Sequence, residues 1–93
     1  MIQSFSDKEA KKIFEREYSA KLPTDIQRII LRKLLMLHAA NSINDLRVPP
    51  GNRLERLKGN RKDEHSIRIN QQWRICFVWT EGCAHSVLIQ DYH

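Results

Sequence analysis

Between Arg47 and Arg74 the sequence places eight basic side chains (Arg47, Arg53, Arg56, Lys58, Arg61, Lys62, Arg68, Arg74) against three acids, Glu55, Asp63 and Glu64. The remaining residues carry eight charges of each sign, so the whole net charge of +5 belongs to less than a third of the chain. Such a segment attracts phosphates by counterion release without reading sequence; it also serves as a plain solvated face. Metal-free cleavage of RNA needs a group that activates the 2′-hydroxyl, cations for the crowded phosphorane, and an acid for the departing 5′-oxygen. Lys58 and Arg74 are the cations suited to that work, because an ammonium and a forked guanidinium together neutralise charge on non-bridging oxygens. Arg53, Arg56, Arg61, Lys62 and Arg68 are expected to hold flanking RNA, or else to pair with the nearby acids at the surface.

Proton carriers are scarcer. His93 titrates nearest neutrality, and Asp91 can orient its ring or another imidazole; as the last residue, His93 also fits a frayed end. Tyr92 can stack on a base, donate its phenol to a phosphate, or pack on a sheet as a strand-end aromatic. Glu55 can act as a base where its surroundings suit, or as a salt-bridge partner of Arg53 or Arg56. His38 and His85 read as structural, and His65 as surface or core. Four scattered histidines and two distant cysteines, Cys76 and Cys83, match no zinc or iron spacing, so no metal and no cofactor is expected.

The elements that must position these groups follow from periodicity. Ile2 to Phe5 fits a short strand, and Ser6-Asp7-Lys8-Glu9 fits a capping box opening a helix with Ala10, Ile13, Phe14 and Tyr18 on one side. Pro23 suits the first turn of a second helix, where Ile26, Ile29, Ile30, Leu34 and Leu37 form a stripe that Leu31, Leu35 and Met36 widen. Both flanks of that helix therefore need cover, from the first helix, the sheet or a partner. Asn41 to Asp45 reads as a loop or single turn, and Pro49-Pro50-Gly51-Asn52 as a turn. Beyond Arg53 the period is two: His65 to Asn70, then Trp73, Ile75, Phe77 and Trp79 on a core face. Arg74, with Cys76 and Val78, should then lie on the opposite face, where a guanidinium can meet a ligand. Gln71-Gln72 and Glu81-Gly82 connect to neighbouring strands, the last spanning roughly Ala84 to Asp91. The expected class is α+β: a short N-terminal strand and two helices on one face of a mainly antiparallel sheet of about four to five strands.

With 93 residues and 41% apolar content, the chain suits one domain, 1–93, since a second core could not be filled. No window approaches the roughly 20 apolar residues that cross a bilayer, so no membrane partner is expected. The opening Met1 to Glu9 lacks a secretory layout, so a cytoplasmic location is expected.

Pro49-Pro50-Gly51-Asn52-Arg53-Leu54-Glu55-Arg56-Leu57-Lys58-Gly59, His65 to Asn70, Trp73 to Phe77 and the terminal Asp91-Tyr92-His93 closely resemble the HigB/GraT branch of the RelE/ParE toxin superfamily. The resemblance implies a RelE-like fold and the toxin of a type II toxin–antitoxin system, a ribosome-dependent, metal-independent endoribonuclease that cuts messenger RNA in the ribosomal A site. It implies a helix-turn-helix, HigA-like antitoxin as partner, with promoter DNA reached only through that antitoxin. On the matching positions it favours Lys58, Arg74, Asp91, Tyr92 and His93 as catalytic. Some members carry a histidine where this chain has Glu55, so Glu55 joins that set as the candidate base. The alternative is a non-catalytic inhibitor acting by binding, on gyrase as in the ParE branch or on ribosome assembly, because a shared fold does not decide chemistry.

Overall fold

The computed structural model describes residues 1–57 and 63–91. Lys58, Arg61, Lys62, Tyr92 and His93, all expected at the site, lie outside the described residues. Two helices, α1 (Lys8–Phe14) and α2 (Thr24–Ala39), are followed by two 3-10 turns, Ile43–Arg47 and Pro50–Asn52. The strands are β1 (Glu55–Arg56), β2 (Glu64–Arg68), β3 (Trp73–Thr80) and β4 (Cys83–Asp91), paired in the order β1-β2-β3-β4. Each pair is antiparallel, as short connections between consecutive strands require. The expected α+β architecture is therefore present.

The core lies between the helices and one sheet face. Ile26, Ile30, Leu34 and Leu37 of α2, with Ile13 of α1, pack on Ile67, Ile75, Phe77, Ala84 and Val87. Trp73 and Trp79 are half-buried against this cluster, so the alternation read along β3 holds. On α2, Ile29, Leu31 and Met36 also pack on the core, while Leu35 stays exposed. No described helix is long and apolar enough to cross a membrane.

Local details differ from the sequence reading at the N-terminus. Asp7, not Ser6, caps α1: its carboxylate accepts from the Glu9 amide at 2.9 Å and from the Ile89 amide of β4 at 3.1 Å. Ser6 instead donates its hydroxyl to the Ser86 carbonyl. The segment expected as a strand makes two parallel bridges to β4, Ile2 with Ala84 and Phe5 with Val87. Ser86 explains the break between them, since its left-handed backbone (φ 54°) sits where the β3–β4 register shifts, a bulge that interrupts a continuous ladder. Tyr18 is not on the α1 stripe. Arg16 turns left-handed (φ 64°), and the Arg16 and Glu17 amides bond back to Ile13 and Lys12, a Schellman end that stops the helix and leaves Tyr18 exposed.

Candidate functional site

Arg74 organises the sheet face opposite the helices. The alternation that sends Ile75 and Phe77 into the core sends Arg74 and Cys76 the other way, as expected, but both are buried there. Arg74 is only 7% exposed, although it borders a cavity on that face. The cause is the Pro-Pro-Gly-Asn-Arg turn lying over it. Arg53 ends that turn in the left-handed region (φ 44°, ψ 57°), and its carbonyl accepts from Nη2 of Arg74 at 2.6 Å. From β2, the buried Ser66 hydroxyl accepts from Nε at 2.8 Å and the Ser66 carbonyl from Nη2 at 3.3 Å. The guanidinium is therefore oriented before any ligand arrives, which is the form in which a cation best meets developing charge.

Around it opens a cavity of about 260 Å³ lined by Arg53, Glu55, Arg68, Asn70, Gln71 and Arg74. The Glu55 carboxylate, more than half exposed on β1, stands 4.0 Å from Nη1 of Arg74. At that distance and exposure the pair contributes little to stability, on the order of 0–1 kcal/mol. Arg68 lies directly opposite Arg74 in the β2–β3 register and donates from Nε to the Asn70 carbonyl at 3.1 Å. Asn70 accepts the Gln72 and Trp73 amides on its side-chain oxygen, each at 2.8 Å, and so closes the β2–β3 connection with Gln71 exposed at its tip. Three arginines, one glutamate, an asparagine and a glutamine line a common space, a composition suited to a phosphodiester with a proton acceptor at hand.

Of the described residues expected at the site, Arg53, Glu55, Arg68 and Arg74 come together. Arg56 and Asp91 do not. Arg56 pairs with His65, whose ring stacks on the core residue Phe77 at 6.1 Å, so it belongs to the other face. Asp91 pairs with Trp73, likewise on the core-facing row, and accepts from the Gln72 side chain at 3.2 Å. Among the described residues no three His, Cys, Asp or Glu side chains gather as metal ligands. Ser66, Asn70 and Gln71 were missed by sequence reasoning. Ser66 shares the parity of Arg68 along β2, a signal that becomes usable only once the register with Arg74 is known.

A family model described as the RelE-like toxin of the type II toxin–antitoxin system HigB matches residues 3–93. Toxin HigB-1 of Vibrio cholerae is 44% identical over 93 residues, spanning 99% of this chain and 98% of the relative. Endoribonuclease HigB of Proteus vulgaris is 36% identical over 98 residues, with both chains covered completely. A crystal structure of a YafQ variant from E. coli superposes with a TM-score of 0.59 at 12% identity, over 97% of this chain and 94% of that one, which speaks to the fold. The chain therefore belongs to the HigB family of RelE-like toxins of type II toxin–antitoxin systems, and as such has an antitoxin partner.

Proposed function

We propose that this toxin is a metal-independent endoribonuclease that cuts messenger RNA on the ribosome, in the A site, and so arrests translation in the cytoplasm. The observation that carries the reading is the Arg74 guanidinium, held by Ser66 and the Arg53 carbonyl in a pocket that Glu55 also lines, its carboxylate 4.0 Å from Nη1. The relative named Endoribonuclease HigB supports it. In this reading one domain, 1–93, performs the whole reaction. Glu55 takes the proton of the 2′-hydroxyl, whose oxygen attacks the adjacent phosphorus. Arg74 and Lys58 meet the charge that grows on the non-bridging oxygens. The bond from phosphorus to the 5′-oxygen then breaks, leaving a 2′,3′-cyclic phosphate, and His93 protonates the departing oxygen. Tyr92 stacks on a base beside the cut. Arg53 and Arg68, which line the pocket, hold the flanking backbone, with Arg56, Arg61 and Lys62 as further phosphate contacts.

The antitoxin in this scheme is a helix-turn-helix, HigA-like protein that covers or distorts the basic groove, or makes a complex too bulky for the A site. Promoter DNA is met only through it. Primer extension on translated messages after induction tests the activity. Wild-type toxin should produce defined cuts, and Arg74→Ala should lower them by about 10²–10³-fold, the usual loss of one preorganised charge donor. Growth arrest with intact transcripts and altered plasmid supercoiling would overturn the nuclease in favour of an inhibitor that acts by binding.

A further inference from the structure

We propose that Lys33, on α2 and remote from the pocket, is a positioning residue for the Arg74 guanidinium, acting through Asn52 and the Arg53 carbonyl. Lys33 occupies the buried stripe of α2 between Ile30 and Leu34 and is 6% exposed. An ammonium there is costly to bury where an aliphatic side chain would not be. Burial holds its pKa below the ordinary lysine range, with the Arg32 charge adding to the effect. Its hydrogen-bond partner is the side-chain oxygen of Asn52, which is itself wholly buried.

Asn52 is the hub of the turn that roofs Arg74. Its amide nitrogen donates to the Leu46 carbonyl at 3.1 Å and the Val48 carbonyl at 3.4 Å, and contacts the Met36 sulfur at 3.2 Å. One amide thus ties both 3-10 turns to α2, and its oxygen accepts from the Lys33 ammonium that reaches it from the helix. The next residue, Arg53, adopts a left-handed backbone that is strained for a non-glycine residue and persists only where its surroundings enforce it. That conformation points the Arg53 carbonyl at Nη2 of Arg74, beside the pocket that Arg53 lines. Lys33, Asn52, Arg53 and Arg74 form one continuous chain of contacts from the interior of α2 to the pocket floor. Removing the lysine leaves Asn52 without its donor and lets the turn shift against β2, so the guanidinium loses one of its aiming acceptors.

The inference rests on the nuclease reading only for its kinetic arm. Lys33→Met keeps the length and apolar packing of the stem and removes the donor. In the folded variant, exchange of the Arg74 Nη2 protons, followed by nitrogen-15 NMR, should quicken at least about tenfold. Cleavage should lose about tenfold in kcat with KM for programmed ribosomes within about twofold, the pattern of a misaimed catalytic group and not of lost binding. Lys33→Arg, which restores a donor at that position, should recover most of both. A purely structural lysine would lower Tm without moving the Arg74 signal. Wild-type Arg74 exchange and kcat in folded Lys33→Met would overturn the proposal. Should that variant not fold, Asn52→Asp gives the lysine a carboxylate partner while removing the donors to Leu46 and Val48. It should show the same quickened exchange, and an undisturbed Arg74 signal there would be equally fatal. Altered Arg74 exchange with no message cut even by wild type would leave the relay standing and dismiss the nuclease instead.

Discussion

Burial makes Arg74 sensitive to single atoms around it. Ser66→Ala strips the acceptor from Nε inside the sheet and leaves a charged group's donor unsatisfied, a loss of about 1–3 kcal/mol. We expect urea denaturation to show that destabilisation, together with slower cleavage, because the guanidinium loses aim as well as support. An unchanged midpoint would mean that water replaces the serine. Glu55 is the contrasting case. Its contact with Arg74 is long and exposed, so Glu55→Gln should leave the denaturation midpoint within about 1 kcal/mol of wild type. If the carboxylate is the base, the same variant should cut about 10²–10⁴-fold more slowly. Wild-type cleavage by Glu55→Gln would remove it from the mechanism.

At the level of elements, the short helix α1 depends on its first residue outside. One oxygen of Asp7 caps the helix and the other accepts the Ile89 amide of β4, so a single carboxylate docks α1 onto the sheet. Asp7→Ala removes both and should cost about 1–2 kcal/mol or more, read as a fall in Tm of roughly 4–8 °C per kcal/mol for a domain of this size. A shift below a degree would show that packing of Ile13 alone holds the helix. The other end needs no such side chain, because the left-handed Arg16 terminates α1 through backbone bonds. Substituting Arg16 by glycine should therefore be neutral or stabilising, whereas a β-branched residue there should not.

For the molecule as a whole, Lys33 ties stability to pH. Its folded-state pKa lies below that of the unfolded chain because burial penalises the charge. Below the folded value both states hold the proton and the burial cost is complete. Between the folded and unfolded values the unfolded chain holds more protons, so this group's contribution to stability rises with pH. Comparing wild type with Lys33→Met from neutral into the alkaline range should show the balance moving toward wild type as pH rises. A constant difference would mean that Lys33 titrates as in the unfolded chain.

The α+β class, the two helices, the meander of strands and the core face of β3 were all legible in the sequence. They follow from local periodicity, since 3.6 and 2.0 are properties of a chain segment and need no partner to be read. The basic segment and the resemblance it carries likewise singled out Arg53, Glu55, Arg68 and Arg74. Tertiary structure alone decided which of those residues meet. Register placed Ser66 beside Arg74 and turned Arg56 and Asp91 to the other face, and a one-residue slip would have reversed every such assignment. It also decided that Arg74 is buried, because a turn some twenty residues upstream lies over it and donates a carbonyl. Alternation states which side of a strand a residue takes; only the packed chain states what covers that side.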